Sequence, residues 1–357
     1  MSSTKFVWDL IQKGRNGENI GACTGLKKLD KIIGGIQPNR YMLVSAASSV
    51  GKTSFIVYIL YNLLRNMTKE HPVYLLYFSL EIGEDILLSK LMSLYCAEEF
   101  GIYLTTNDIL SFEKPLNDYG FNALKKAKEW LDGLSENIKI LDKGLNSTIL
   151  YRETCEFAEE HGSIDENKRY IPKEKGQRLI ACIDHFALLR PSDGNTLKQE
   201  MDLVSKYLYS LKNRCGISPI VIQQMNRGIQ NVERRKEGLV TPLTSDLKDT
   251  NSSVEDAEII LAIFSPNKAK LSTHRGYDIK QLEDKYRSIF VLKSRYGESN
   301  VEDSIYYDGK CNKWVELPAS NTIYDYEKFN NPRWYLENAE DNVSIEDKTN
   351  QQTKFVL

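Results

Sequence analysis

The fold of this chain is decided by the stretch Ala46-Ala47-Ser48-Ser49-Val50-Gly51-Lys52-Thr53. A short apolar run at positions 41–45 precedes it. A segment with helical periodicity follows, and its apolar positions are Phe55, Ile56, Ile59, Leu60, Leu63 and Leu64. A strand, a loop and a helix in this order form the context that a phosphate-binding loop requires. The pattern normally opens with glycine, and Ala46 stands in that position here.

This loop predicts a site for a nucleoside triphosphate, because its backbone N–H groups and the helix N-terminus would cradle the β-phosphate. Lys52 would reach the β- and γ-phosphates, and the Thr53 hydroxyl would bind Mg²⁺. The alternative is a chance Gly-Lys-Thr in an ordinary loop, which the flanking strand and helix disfavour. We therefore expect a nucleoside triphosphate and Mg²⁺ as cofactors, with nucleotide contacts from Ala46, Ser48, Ser49, Val50, Gly51, Lys52, Thr53 and Ser54.

Composition limits the remaining choices. A chain of 357 residues with 41% hydrophobic residues suits one large domain with appendages, or two small domains. Its 47 basic and 49 acidic side chains give a net charge of -2, so any nucleic-acid contact must come from a local loop. The 6 cysteines lack a C-x-x-C pair and indicate reduced thiols. No apolar run approaches the roughly 20 residues of a membrane helix, which predicts a cytoplasmic protein without a membrane partner.

Two acidic residues follow predicted strands beside the loop. Glu81 comes just after the run 73–78, where a carboxylate can orient and deprotonate the attacking water. Asp184 ends the continuous apolar run 179–183, which is typical of a central parallel strand, and it can hold Mg²⁺ through water. We interpret His185, the next residue, as a packing or hydrogen-bonding side chain.

A neutral amide and a basic stretch follow the next predicted strand. Gln224 ends the run 220–223, and its amide can hydrogen-bond the γ-phosphate and sense its loss. The downstream cations are candidates for DNA binding, although a solvated charged loop is the alternative and no interleaved aromatic residues support base stacking. These cations are Arg227, Arg234, Arg235 and Lys236.

Lys293 and Arg295 form a second candidate cationic group. Residues two apart on a strand face the same way, so the two side chains should project together. Such a pair could stabilise the charge of a γ-phosphate held by an adjoining subunit. The alternative is salt bridging at the surface.

Several motifs, taken in order, resemble the ATPase domain of the DnaB-type replicative helicases. The resemblance extends over residues 24–317. It is carried by Thr24-Gly25-Leu26 with Leu29-Asp30, by Gly35-Ile36-Gln37-Pro38, by the loop that opens with Ala46, and by Phe78-Ser79-Leu80-Glu81, Gln224-Met225-Asn226-Arg227 and Lys293-Ser294-Arg295-Tyr296-Gly297. It implies an α/β fold with a RecA-like P-loop NTPase core, in which a mostly parallel sheet is flanked by helices.

The resemblance also implies roles for single residues. Glu81 would be the general base, Gln224 a sensor of the γ-phosphate, and Lys293 with Arg295 the finger that acts on the neighbouring subunit. The segment before residue 252 resembles the DNA-binding loop of the family, which has glycine where this chain has an asparagine. The loop residues are Lys248, Asp249, Thr250 and Asn251. The implied partners are single-stranded or forked DNA, further copies of the chain in a hexameric ring, and primase or a helicase loader.

The chain divides into three predicted parts: an arm at 1–20, the RecA-like domain at 21–317, and a polar flexible tail at 318–357. The arm carries an amphipathic stretch that packs on its own domain or on a neighbouring subunit; its apolar residues are Phe6, Val7, Leu10 and Ile11. The family usually has an N-terminal collar domain, and here only the arm is seen. We therefore expect a reduced viral replicative helicase, acting in the host cytoplasm, or a free-standing motor domain.

Three functions stay open at this point. The first is a ring helicase that unwinds DNA with ATP. The second is a RecA-like ATPase that binds DNA in recombination or regulation without unwinding it. The third is a structural protein that kept the fold and lost the motor. The full set of Lys52, Glu81, Asp184 and Arg295 argues against the third.

Overall fold

The computed structural model describes residues 3–166, 170–225, 240–247 and 251–337. In chain order the strands are β1 (Met42–Ala46), β2 (Val73–Ser79), β3 (Ile138–Leu141), β4 (Gly162–Ile164), β5 (Tyr170–Pro172), β6 (Arg178–Asp184), β7 (Ile217–Gln224), β8 (Ile259–Phe264), β9 (Thr273–His274), β10 (Tyr277–Asp278), β11 (Tyr286–Ser294), β12 (Val301–Asp308) and β13 (Lys313–Glu316). The α-helices are α1 (Ser3–Arg15), α2 (Lys27–Ile33), α3 (Lys52–Arg65), α4 (Glu84–Phe100), α5 (Thr106–Ile109), α6 (Asp118–Asp132), α7 (Ser147–Glu160), α8 (Leu197–Cys215), α9 (Asn251–Asp256), α10 (Ile279–Leu282) and α11 (Trp334–Glu337).

The centre of the molecule is a 9-stranded sheet in the order β13-β12-β11-β8-β1-β7-β6-β2-β3. From β8 to β3 neighbouring strands are parallel, whereas β11, β12 and β13 add an antiparallel edge. Strands β1 and β6 are buried along their whole length, as expected when helices cover both faces of a sheet. The expected α/β class, a mostly parallel sheet flanked by helices, is confirmed.

Residues of β1 point alternately to two hydrophobic cores, one on each face of the sheet. Met42 and Val44 join the core under α3 and α4, and Leu43 joins the core under α7 and α8. The helix predicted from the apolar periodicity is α3, and its residues Phe55 and Ile59 are fully buried. The loop between β1 and α3 is therefore held at both ends by the core.

The N-terminal arm forms the helix α1, on which Val7, Trp8 and Ile11 are exposed. The side chains of Phe6 and Leu10 lie outside the described part of the structure. The arm joins the domain through Arg178, whose guanidinium donates hydrogen bonds of 3.1 and 2.7 Å to the backbone oxygens of Glu18 and Ile20. Of the two dockings considered for the arm, packing of Val7, Trp8 and Ile11 on the same domain is not observed.

The segment after residue 317 differs from the expected flexible tail. It is described as far as residue 337, and its Phe329 and Trp334 are buried in a cluster with Tyr286 and Tyr306. The buried aromatic residues of this segment remove apolar surface from water, which favours packing. The average composition of the segment is polar and therefore does not reveal these few residues. The packed structure therefore continues past the boundary expected at 317.

Strands β4 and β5 form a separate antiparallel pair outside the central sheet. Across the described ranges, no helix is both long enough and apolar enough to cross a membrane.

Candidate active site

The phosphate loop has the backbone conformation that its glycine allows. Gly51 has a φ of 110°, a backbone conformation that residues other than glycine rarely adopt. A Cβ at this position would lie 3.2 Å from Tyr307 Cζ and 3.3 Å from Trp314 Cζ2, so the space is also limited. Helix α3 begins at the next residue, and its N-terminus therefore faces the loop.

Lys52 lies inside the loop that precedes it. Its side chain is mostly buried, and its Nζ donates a 3.1 Å hydrogen bond to the backbone oxygen of Ala47. Burial lowers the pKa of Lys52, and the carboxylates of Glu81 and Asp184 oppose this shift. An anion in the loop would hold the ammonium charge far better than one neutral carbonyl does.

Thr53 and Asp184 meet as the sequence predicts. The Thr53 hydroxyl donates a 2.7 Å hydrogen bond to Asp184 Oδ2, and the Tyr77 hydroxyl donates a 3.1 Å bond to the same oxygen. Burial raises the pKa of the Asp184 carboxyl above its ordinary value, although these two bonds act in the opposite direction.

The second oxygen of Asp184 has no donor among the described residues. Oδ1 is buried and makes no hydrogen bond to any of them. A carboxylate oxygen beside a threonine hydroxyl belongs to the oxygen ligand set that Mg²⁺ prefers, directly or through water. The residues present therefore fit the ion that the sequence predicts.

Glu81 stands at the carboxyl edge of the sheet on a fixed turn. The Ser79 hydroxyl donates a 2.6 Å hydrogen bond to Ile82 O, and Leu80 N donates a 2.8 Å bond to Asp184 O. The Glu81 carboxylate remains half exposed and thus accessible to water.

His185 lies beside Glu81, a contact that the sequence did not predict. Its Nε2 lies 3.7 Å from Glu81 Oε2, and the imidazole is buried. Burial lowers the pKa of His185, so the ring is neutral near pH 7, while the two nearby carboxylates oppose the shift. The only signal in the sequence was its position directly after Asp184, because the contact with Glu81 depends on the pairing of β2 with β6.

Gln224 ends β7 directly beside the start of the loop. It is in register with Ala46, and the next amide, Met225 N, donates a 3.0 Å hydrogen bond to Ala46 O. The amide side chain is half-buried at the edge of the sheet that carries the loop. Gln224 therefore lies beside the first residue of the loop.

Ser54 is oriented away from the loop. Its hydroxyl donates a 2.7 Å hydrogen bond to Asn312 Oδ1 and lies 3.2 Å from the hydroxyl of Tyr307. The side chain is buried, so any contact of Ser54 with a nucleotide would come from its backbone.

Lys293 and Arg295 lie near the amino-terminal ends of the parallel strands, whereas the loop follows the carboxyl end of β1. The last residue of β11, Ser294, is in register with Ile259, and Ile259 is in register with Met42 at the start of β1. Strand β1 is 5 residues long, which places these ends about 13 Å from the loop.

The two cations of this pair have different environments. Lys293 Nζ donates hydrogen bonds of 2.8 and 3.0 Å to the backbone oxygens of Val254 and Glu255, at the C-terminal end of α9. The side chain of Arg295 is 42% exposed, and its Nη1 lies 3.9 Å from the buried carboxylate of Glu258. A bulge between Val291 and Lys293 precedes them. Arg295 is therefore the member of the pair that is presented to solvent.

Most of the predicted DNA-binding residues lie outside the described part of the chain: Arg227, Arg234, Arg235, Lys236, Lys248, Asp249 and Thr250. Asn251 is described only as the first residue of α9. Described residues that flank these two segments are connected through Gln223. Its side-chain amide donates a 3.3 Å hydrogen bond to Leu247 O and accepts a 2.9 Å hydrogen bond from the Ser253 hydroxyl. Both segments thus start from one place beside the end of β7.

A family model decides the assignment that these motifs suggest. Residues 21–316 match the model of the DnaB-like helicase C terminal domain. The chain belongs to this family. The resemblance inferred from the motifs is therefore confirmed, and this DnaB-like domain accounts for most of the chain.

Named relatives of this DnaB-like domain are replicative DNA helicases. DnaB of Haemophilus influenzae is 28% identical over 273 residues, which are 74% of this chain and 50% of that protein. DnaC of Bacillus subtilis is 25% identical over 316 residues, 87% of this chain and 60% of that protein. DnaB of Buchnera aphidicola subsp. Baizongia pistaciae is 30% identical over 299 residues, 83% of this chain and 55% of that protein. The chain thus spans little more than half the length of these relatives.

Solved structures confirm the RecA-like fold of the DnaB-like domain. One solved ATPase domain superposes with a TM-score of 0.71 at 19% identity, over 89% of this chain and 99% of that one. A DnaB-like replicative helicase, solved in a study of its interactions with primase, gives a TM-score of 0.70 at 19% identity, over 89% of this chain and 68% of that one. At this level of identity the likeness shows the fold alone.

Proposed function

We propose that this DnaB-like domain hydrolyses ATP and uses the energy to move along single-stranded DNA and unwind duplex DNA in replication. The observation that carries the proposal is the convergence of Lys52, Thr53, Asp184 and Glu81 at the carboxyl edge of the sheet. This set contains a phosphate cation, an oxygen pair for Mg²⁺ and an accessible base.

The roles follow from the contacts. The loop N–H groups, the start of α3 and Lys52 would hold the β- and γ-phosphates. Thr53 and Asp184 would hold Mg²⁺, which supplies charge neutralisation on the phosphate oxygens when bound. Glu81 would take the proton of the attacking water, with the neutral His185 beside it, and Gln224 would contact the γ-phosphate.

Arg295 supports a ring of identical subunits, because this candidate finger lies away from the loop of its own chain. The loop and Arg295 occupy opposite edges of the sheet about 13 Å apart, which supports a role for the guanidinium at the nucleotide of a neighbour. The exposed Val7, Trp8 and Ile11 of the arm offer the neighbour an apolar face. We propose a homo-hexamer in which each nucleotide lies between two subunits.

The remaining partners are part of the same proposal. The segments that begin after Met225 and Leu247 would line the centre of the ring and contact single-stranded DNA. Primase or a helicase loader would bind the assembled ring, and the free thiols of all 6 cysteines suit work in the cytoplasm.

A strand-displacement assay on a forked duplex tests the proposal. Wild-type protein should release the labelled strand only with ATP and Mg²⁺, and Glu81→Gln should release none. Hydrolysis that single-stranded DNA stimulates, without any strand release, would favour the RecA-like ATPase that does not unwind. The absence of both hydrolysis and nucleotide binding would favour the structural protein.

A further inference from the structure

The carbonyl side of the phosphate loop is held by two cations from outside the known motifs. Arg287 of β11 donates a 2.8 Å hydrogen bond from Nε to the backbone oxygen of Val50. Lys268, in the segment after β8, donates from Nζ to the backbone oxygen of Ser49. Two successive peptide units of the loop therefore each have a positive charge at their oxygen.

Arg287 is an unusual residue for the interior of a sheet, because its side chain is fully buried. Its Nη1 donates bonds of 2.7 and 2.8 Å to the backbone oxygens of Asp284 and Tyr286, and its guanidinium carbon lies 4.7 Å from the centre of the Tyr307 ring. Nη2 lies 3.0 Å from Asp284 Oδ1, a contact that is ionic rather than a hydrogen bond. A buried cation is costly unless it is well bonded, and here one of its bonds goes to the loop.

The chemistry follows from the planarity of the peptide bond. The oxygen of Val50 shares its peptide unit with the N–H of Gly51, and the oxygen of Ser49 shares its unit with the N–H of Val50. A cation at the oxygen polarises the unit and makes its N–H a stronger donor. It also fixes the plane of the unit, so that the N–H direction is set before an anion arrives.

We propose that Arg287 and Lys268 are positioning residues that prepare the loop N–H groups of Val50 and Gly51 for a polyphosphate. They act through the loop backbone and on the phosphate shared by nucleoside diphosphates and triphosphates. They strengthen binding of ATP and ADP alike and contribute little to the chemical step. The inference rests on the proposed ATP site and adds two residues to it.

Equilibrium binding of a fluorescent ATP analogue and of the matching ADP analogue tests this, in wild type, Arg287→Met, Arg287→Lys and Lys268→Met. Each Met variant should raise the Kd for both nucleotides about tenfold, because the loop N–H groups lose their fixed direction and part of their donor strength. Arg287→Lys keeps a donor for Val50 O and should recover part of the loss. At saturating ATP, kcat should change less than about threefold. Lys270→Met removes an exposed cation two residues further along the segment of Lys268 and is the matched control.

The outcomes separate a positioning role from a structural one. If Arg287→Met lowers the melting temperature but the folded protein binds both nucleotides like wild type, the residue only supports the fold and the inference is overturned. Should Arg287→Met not fold, Lys268→Met decides, because its side chain is exposed and unchanged binding there overturns the inference equally. Loss of ATP affinity with intact ADP affinity would also contradict it. A wild type that binds neither nucleotide would overturn the proposed function itself.

Discussion

Single residues at the carboxyl edge of the sheet define what the site can do. The Glu81 carboxylate is half exposed, whereas Asp184 is fully buried and bonded to Thr53 and Tyr77. We therefore propose different tasks for the two acids: the exposed one would exchange a proton with water, and the buried one would hold a cation.

The first prediction concerns Glu81→Gln. The substitution removes the base and leaves the phosphate contacts of the loop intact, so nucleotide affinity should be retained while turnover falls at least about 100-fold. Measurements of Kd and kcat on the same preparation separate the two effects. Lys52→Ala is the contrasting variant, because it should weaken binding itself. Wild-type turnover in Glu81→Gln would remove Glu81 from its assigned role.

The second prediction concerns the pH dependence of stability. Burial lowers the pKa of His185 below its ordinary 6.5, and burial also lowers the pKa of His161. As the pH falls below about 6.5, the unfolded chain binds more protons than the folded chain does, so the free energy of unfolding decreases. His185→Asn should reduce this loss. Denaturant titrations between pH 7.5 and 5.5, chosen to span the ordinary histidine pKa, provide the test; an unaltered slope in His185→Asn would contradict the buried neutral ring.

At the scale of elements, the carboxyl ends of the parallel strands explain how much of the site was predictable. Glu81, Asp184 and Gln224 each follow an apolar run, and the parallel strands β7, β6 and β2 on one side of β1 bring these ends to one edge. The same local patterns could not show that His185 meets Glu81, or that the Ser54 hydroxyl turns to Asn312. Those contacts join residues far apart in sequence.

The C-terminal segment shows that the local sequence also predicts only part of the fold. Its average composition is polar, which favoured a flexible tail after Pro318, yet a few aromatic residues such as Phe329 and Trp334 are buried. Whether an isolated aromatic residue packs depends on the surface available to it. Here that surface is formed by Tyr286 and Tyr306, on strands that the local sequence cannot place beside the segment.

The third prediction concerns the buried ion pair between Lys212 of α8 and Glu258, the last residue before β8. Lys212 bonds the Glu258 carboxylate, which also accepts a 2.8 Å hydrogen bond from Tyr41 N. Lys212→Met leaves a buried carboxylate without its cation and should lower the free energy of unfolding by about 3–5 kcal/mol. The double variant Lys212→Met, Glu258→Gln should regain part of the loss. The exposed pair of Lys128 with Asp132 supplies the control, since Lys128→Met should barely change the denaturation midpoint.

For the whole molecule, the arrangement of the sheet separates the nucleotide loop from the proposed finger, which is why we propose that a second subunit completes the site. The net charge of -2 provides no general attraction for nucleic acid, so the DNA binding that we propose must come from local segments.

The fourth prediction concerns DNA. If Arg234 and Arg235 contact phosphates in the ring, the affinity for single strands should fall steeply with salt, and reversing both to Glu should weaken binding and flatten the salt dependence. Hydrolysis in the absence of DNA should continue. Filter binding or anisotropy at several salt concentrations measures this, and an unchanged affinity would place the DNA contacts elsewhere.

The central claim is an ATP site that one subunit begins and its neighbour completes. It is tested most directly by mixing Lys52→Ala with Arg295→Ala subunits and measuring ATP hydrolysis. Each variant alone should be nearly inactive, because a finger of this kind contributes about 10³ or more in rate. A random 1:1 mixture places an intact Lys52 opposite an intact Arg295 at about one interface in four, so hydrolysis should return. No recovery in mixtures whose mixed rings are demonstrated would contradict the shared site.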